Sequence, residues 1–393
     1  NATPGIAIAH RTYHLGARNV QVHFWDFGGQ VIMHSMHRMF LTQRTLYVVL
    51  LNARDDTQDD RARYWLHNIK SFACGAPVML VINKIDQNPN ASVNESGLRE
   101  AYPALTEVVR TSALTFSQEE FNKAFTDALK RQINNFAELE SPFLPAWHKL
   151  KERIAGMKSH YIHGPEFNHL CEECGVEADE ETRKALLKWF NDLGVSFCYS
   201  GSARLEDYVI LQPAWITNAI YILLFNPIPG QKNGMVSHEA IYNMLNPPTH
   251  LRSSIRRVLP NATYCVSDTE FVLNVIRRFR LSYLVSDNAE FFPMLCRKDA
   301  LPIAARYAAD PQTLEFRMVY EYLPNNVIHR LMVDMHRDLD MENVWLTGAR
   351  FSQQSTGLSA VVRSEGNALV MYVRSDNIRH PADFYLDIIK DRL

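Results

Sequence analysis

The chain has no apolar run near the roughly 18 residues that a membrane-spanning helix requires. Its longest runs, such as Leu46 to Leu51, are strand-sized. Charge of one sign is also missing: the balance is −2 at neutral pH, so nothing argues for DNA, RNA or an anionic membrane as partner. Cysteine is sparse. The six residues Cys74, Cys171, Cys174, Cys198, Cys265 and Cys296 lack the framework spacing of a small secreted scaffold, and a reducing, cytoplasmic setting is expected. No signal peptide, internal repeat or low-complexity tract is visible. The chain opens on Asn1 rather than Met, which reads as the start of an excised fragment. Asn261-Ala262-Thr263 fits a glycosylation acceptor, but such triplets are frequent by chance and carry little meaning in a cytosolic protein.

What is there is ordinary globular composition, 47% hydrophobic and 21% charged, on 393 residues. That length exceeds what one hydrophobic core usually organises, so two or three domains are expected. The first third alternates strands with helices. Val20 to Trp25 reads as a strand, and Leu46 to Leu51 and Pro77 to Ile82 are the continuous apolar runs of parallel strands buried on both faces. Gln58 to Phe72 reads as a helix, Val108 to Thr111 as a short strand, and Ser117 to Arg131 as a helix opened by a Ser117/Glu120 capping box. The class is therefore α/β, with an open parallel sheet and flanking helices.

A polar, then proline-containing stretch at 135–145 reads as a linker. Helices are expected at Ala146 to Met157, Pro165 to Cys174 and Asp179 to Leu193, the last stopped by Gly194. Two β-like pieces, Val195 to Tyr199 and Tyr208 to Leu211, complete a winged-helix outline. The last third is α+β, with strands at Thr313 to Glu321, Val344 to Leu346, Leu358 to Val362 and Leu369 to Val373. Helices are expected at Asn325 to Asp338 and Pro381 to Leu393.

Three short motifs each follow an expected strand. In Trp25-Asp26-Phe27-Gly28-Gly29-Gln30, a carboxylate at a strand end can hold Mg²⁺ through water. Gly29 lets a backbone N–H approach a γ-phosphate, and Gln30 can orient an attacking water. In Asn83-Lys84-Ile85-Asp86, the Asp86 carboxylate can accept hydrogen bonds from the N1–H and 2-amino group of guanine, donors that adenine lacks. Asn83 would tie neighbouring loops together, and the Lys84 stem would lie over the base. After Thr111, the small pair Ser112-Ala113 lets the Ala113 N–H approach the guanine carbonyl oxygen. Each motif alone could be a polar turn after a strand. Their order at the carboxyl ends of successive strands, where open α/β sheets bind ligands, favours a nucleotide site.

The three motifs resemble the switch II, base-specificity and Ser-Ala motifs of Ras-like GTPases. The longer string His23-Phe24-Trp25-Asp26-Phe27-Gly28-Gly29-Gln30, with Phe40-Leu41-Thr42-Gln43-Arg44, resembles the Roc domain of Roco proteins. Ala214-Trp215-Ile216, and Tyr322-Leu323-Pro324 leading into Ile328-x-Arg330-Leu331, resemble the COR region that follows Roc. The resemblance implies a Ras-like P-loop GTPase sheet over 1–134, a COR-A part with a winged-helix unit over 146–298, and a COR-B dimerisation part over 299–393. It also implies GTP/GDP and Mg²⁺ as ligands, homodimerisation through COR, and flanking leucine-rich repeats or an effector domain as possible partners. Thr3, in Thr3-Pro4-Gly5-Ile6, resembles switch I and would bind Mg²⁺ beside Asp26. The chain departs from the pattern in one respect: no Gly-x-x-x-x-Gly-Lys-[Ser/Thr] loop occurs in it. In a Ras-like domain that loop precedes switch I, so it is expected before Asn1. The alternatives are a pseudo-GTPase scaffold or a winged-helix nucleic-acid binder.

Other candidates are weaker. Cys171-Glu172-Glu173-Cys174, near His163 and His169, is half a zinc site and sits late in a helix, where a redox pair does not belong. His34 and His37 share a helix face with no carboxylate to complete a triad. The second helix of the winged-helix outline mixes Asp179, Glu180, Glu181 and Asp192 with Arg183, Lys184 and Lys188, which disfavours a DNA groove.

Overall fold

The computed structural model describes residues 6–28, 40–55, 57–73, 75–113, 118–136, 144–176, 179–198, 208–246, 264–300, 302–320, 323–324, 326–376 and 382–392. Thr3, Gly29, Gln30, His34, His37, Ser117, Tyr322 and most of the 135–145 stretch lie outside them. The chain forms two compact units, one of residues 7–26 and 37–213, the other of 1–6, 27–36 and 214–393.

In the first unit, β3 (Tyr47–Asn52), β4 (Val78–Asn83) and β5 (Leu105–Arg110) form a parallel sheet with β4 in the centre. The sequence Val-Met-Leu-Val-Ile of β4 is buried throughout, as a strand covered on both faces must be. On one face Val49, Leu51, Leu80 and Ile82 pack against α1 (Gln58–Phe72), through Ala62, Leu66 and Ile69, and against Leu98 of α2 (Glu95–Ala101). On the other, Met79, Val81 and Val109 meet Phe125 and Ala128 of α3 (Gln118–Asn134). A separate hairpin of β1 (Ile6–Leu15) and β2 (Arg18–Phe27) sets Tyr13, Val20, Val22 and Phe24 against Leu129 and Ile133 of α3.

The same unit continues into α4 (Pro145–Ala155), β6 (Tyr161–His163), α5 (Gly164–Cys174), α6 (Glu180–Asp192), β7 (Phe197–Cys198) and β8 (Tyr208–Ile210). The strands order β6-β8-β7, all antiparallel, so the expected hairpin gains a third strand. Leu150, Ile154, Phe167, Cys171, Leu186, Phe190 and Val209 form its core. Cys171 and Cys174 are buried free thiols within it; burial first, and then Cys174, raise the Cys171 thiol to about 11, which keeps it protonated and inert.

The other unit contains a run of helices and short strands left unread in the sequence. They are α7 (Pro213–Phe225), β9 (Met235–Ser237), α8 (His238–Leu245), α9 (Val266–Arg278), β10 (Tyr283–Ser286) and β11 (Ala289–Phe291). The fully buried Glu290 accepts hydrogen bonds from Arg277 and from the Ser282 hydroxyl at 3.0 Å, which pins α9 to that small sheet. After α10 (Ile303–Ala309) come β12 (Leu314–Val319), α11 (Val327–Asp334), β13 (Leu339–Trp345), β14 (Gly348–Gln353), β15 (Leu358–Glu365), β16 (Ala368–Ser375) and α12 (Ala382–Lys390). The five strands order β12-β16-β15-β14-β13, antiparallel throughout. One face packs on Leu331 and Met332 of α11 and on Tyr385 and Ile389 of α12. The expected helix from Asn325 to Asp338 ends at Asp334, because the chain turns at Met335 so that both Met335 and Leu339 enter this core.

Candidate functional site

Parallel strands β4 and β5 end side by side, and their register carries Asn83 and Thr111 into adjacent loops. The Thr111 N–H donates to the Ile82 carbonyl at 2.9 Å, and the Ile85 N–H to the Thr111 carbonyl at 3.3 Å. Asn83 stitches the two loops with one side-chain oxygen, which accepts from the Lys84 N–H at 2.8 Å and the Ala113 N–H at 3.1 Å. Lys84 adopts φ +66, the left-handed region that a non-glycine residue enters at a cost, and such strain gathers at functional loops.

Asp86 stands at the exposed end of this loop, and the buried Ser112 hydroxyl donates to its carboxylate. One oxygen is thereby oriented, leaving lone pairs that face solvent. The Ala113 N–H, expected to meet a guanine carbonyl, is engaged with Asn83 and would have to be shared or exchanged on binding. Two braces were not anticipated from sequence. Asn88 donates to the Ala53 carbonyl at 3.0 Å, and Arg110 donates to the Pro89 carbonyl at 2.5 Å, which fastens the loop after β4 to its neighbours. Nothing local marks either residue, since both act on backbone far away in the chain.

Asp26 lies near the end of β2 and is exposed, with half-buried Trp25 before it and buried Gly28 after it. Trp25 packs its ring on Phe40 at 5.8 Å. His23, two residues earlier, has its imidazole lowered to about 4 by burial, then by His10 and Lys151. Phe40 leads into a turn closed by Tyr47, whose hydroxyl accepts from the Thr42 N–H at 2.7 Å and donates to the Thr42 carbonyl at 2.8 Å. Burial raises that phenol to about 12. The structure thus brings Asn83, Lys84, Asp86, Ser112 and Ala113 together, and sets Asp26 on a separate strand. Among the described residues no three His, Cys, Asp or Glu side chains gather as a metal ion requires, and no helix is long and apolar enough to cross a membrane.

Comparison with known proteins gives matches along most of the chain. Residues 1–86 match the model of the Ras of Complex, Roc, domain of DAPkinase. Residues 145–295 match the COR-A domain, C-terminal of Roc, and residues 311–390 the COR-B domain. A Roc-COR-CHAT protease of Runella zeae is 22% identical over 89% of this chain, which spans 36% of that protein. The probable serine/threonine-protein kinase pats1 of Dictyostelium discoideum is 23% identical over 80% of this chain, which spans 10% of it. Among solved structures, the GDP-bound RocCOR fragment of Methanosarcina barkeri Roco2 is similar with a TM-score of 0.63 and 28% identity. That likeness covers 75% of this chain and 85% of the other.

Proposed function

This chain belongs to the Roco family, with a GTPase-like Roc domain followed by COR, and from that premise we propose that it is the switch portion of a protein that binds guanine nucleotides and hydrolyses GTP. The observation that carries the reading is the Asn83-Asp86-Ser112 cluster. An exposed carboxylate is held by a buried hydroxyl beside a loop that Asn83 locks to its neighbour. That arrangement fits the paired donors of guanine, whereas adenine offers the carboxylate oxygens no such donors. The similar Roco2 fragment is bound to GDP, which is consistent with this reading.

In this reading Asn83, Lys84, Asp86, Ser112 and Ala113 hold the base, and Gly29 approaches the γ-phosphate. Mg²⁺ would be held by Asp26 and Thr3, since a carboxylate and a hydroxyl supply the hard oxygen donors that this ion takes. Mg²⁺, when bound, would neutralise charge developing on the phosphates. Gln30 would orient the attacking water. The loop that cradles the β-phosphate is not in residues 1–393, so hydrolysis belongs to the protein that carries it. The proposed division is Roc at 1–134, a linker at 135–145, COR-A at 146–298 and COR-B at 299–393, with COR-B bringing two copies together in a cytoplasmic homodimer.

The test is Asp86→Asn in the intact protein. An amide oxygen accepts as before, but the NH₂ placed opposite the guanine 2-amino group opposes it and favours a carbonyl there. Affinity should move from GTP towards xanthosine triphosphate by about tenfold or more for each. Unchanged preference in a binding titration would remove the guanine assignment and leave the pseudo-GTPase scaffold as the better reading.

A further inference from the structure

The C-terminal end of α6 is closed in a particular way. The Val195 N–H donates to the Phe190 carbonyl at 2.8 Å and the Gly194 N–H to the Asn191 carbonyl at 3.0 Å, with Gly194 at φ +66. This is the paired hydrogen-bond stop that needs a left-handed residue. The same device closes α5. There the Val176 N–H donates to the Cys171 carbonyl at 2.9 Å, the Gly175 N–H to the Glu172 carbonyl at 3.0 Å, and Gly175 has φ +78. The two stops differ in what lies over the glycine. A Cβ on Gly175 would meet nothing within 4 Å, whereas a Cβ on Gly194 would lie 2.5 Å from Cζ2 and 3.0 Å from Cε2 of Trp25. Backbone geometry explains glycine at both positions; only at Gly194 does a second demand act, the seating of an indole.

That indole belongs to the residue before Asp26. It also packs on Phe40, with ring centroids 5.8 Å apart. The same turn of α6 reaches the segment that follows Phe40, since Asp192 faces Arg44 at 3.9 Å and is one of the charges felt by Tyr47. Burial raises the Asp192 carboxyl while Arg44 and then Lys188 lower it. Both chain segments that flank the 29–39 stretch therefore rest on one helix end.

We propose that Trp25 is a positioning residue: seated on Gly194 at the end of α6, it fixes the Asp26 carboxylate, so that the winged-helix unit sets the geometry of the nucleotide site. The inference rests on the guanine-nucleotide reading for the role of Asp26. Adjacent residues on a strand cannot move independently, and a displacement of about 1 Å at a reacting centre can cost on the order of a hundredfold in rate. The bare backbone of Gly194 lets the indole lie close, and any side chain there displaces it.

Three variants of the intact protein test this, read first by amide exchange and then by the free Mg²⁺ needed to retain bound GDP. Gly194→Ala should speed exchange in Val22 to Phe27 by about tenfold and raise the Mg²⁺ requirement by about tenfold. Gly175→Ala, with the same backbone strain and open space above it, should leave both within about twofold. Combining Gly194→Ala with Trp25→Phe, which removes the atoms that collide, should return both to within about threefold of wild type. If Gly194→Ala does not fold, Trp25→Leu in the unaltered background serves, with an expected rise of about fivefold in the Mg²⁺ requirement. Equal behaviour of Gly194→Ala and Gly175→Ala, absence of rescue by Trp25→Phe, or an unchanged requirement in Trp25→Leu each overturns the proposal. A failure of the guanine reading shows separately, as unaltered base preference in Asp86→Asn.

Discussion

His329 illustrates how a single titrating residue can set the acid stability of one region. It lies on α11, donates from Nε2 to the Leu346 carbonyl at 2.9 Å, and keeps Nδ1 buried with no partner among the described residues. Burial lowers its imidazole to about 4, against the upward pull of that hydrogen bond. The sign follows from the depressed value. Above 6.5 the ring is neutral in both folded and unfolded chains and the stabilisation is complete; as pH falls from 6.5 to 4 the unfolded chain takes up a proton that the folded chain refuses, and stability is lost. The loss attributable to this residue should be on the order of 3 kcal/mol. Urea titrations across that pH interval should show a shallower decline for His329→Gln, whose amide can still donate to Leu346. Parallel curves for the two proteins would mean that other groups set the acid limb.

Among elements, the COR-B sheet offers a free edge. β12 pairs only with β16 among the described strands, and it leaves Leu314 45% and Val319 74% exposed. Unpaired edges bearing apolar side chains invite a partner, and homodimers close most often about a twofold axis. If COR-B carries the dimer contact through this edge, Val319→Glu should weaken association by about tenfold or more, read by light scattering over a dilution series. An unchanged dimer would put the contact elsewhere. Legibility also differed by element. β4 and α1 were readable because each satisfies one simple pattern, a continuous apolar run or a 3.6-residue stripe. β1, Ile6–Leu15, was missed since most of its side chains are exposed and no alternation survives. α7 was missed for the opposite reason: Trp215, Ile216, Ile220, Leu223 and Leu224 are all buried, so no polar face gives a period. At the site, Asn83, Asp86 and Ser112 were legible because their partners lie in loops that the strand order brings together. Gly194 could be read only as a helix stop, since nothing near it in sequence announces Trp25.

For the whole molecule, the decisive quantity is what residues 1–393 can bind by themselves. The parallel sheet has β4 beside β3, and no described strand on the other edge of β3. Leu50, in the middle of that strand, is 63% exposed, an unusual state for an apolar residue of a parallel sheet. The Asn83-Asp86-Ser112 cluster is formed, yet the sequence holds no glycine-rich loop ending in Lys-Ser or Lys-Thr. Two or three hydrogen bonds to guanine, at roughly 1 kcal/mol net each, cannot replace charge-assisted contacts to the β-phosphate. This polypeptide alone should therefore bind GDP weakly and hydrolyse GTP negligibly. Its COR core, built on Leu331, Met332, Phe351 and Tyr385, should be as stable with nucleotide as without. Calorimetric titration with GDP decides the point. A dissociation constant below about 1 µM would require phosphate contacts from residues other than that loop, and the assignment of phosphate binding to it would fall. Weak binding that becomes tight when a strand, loop and helix of the expected kind are supplied in the same polypeptide, with Leu50 then protected from solvent, would place the phosphate site beside β3.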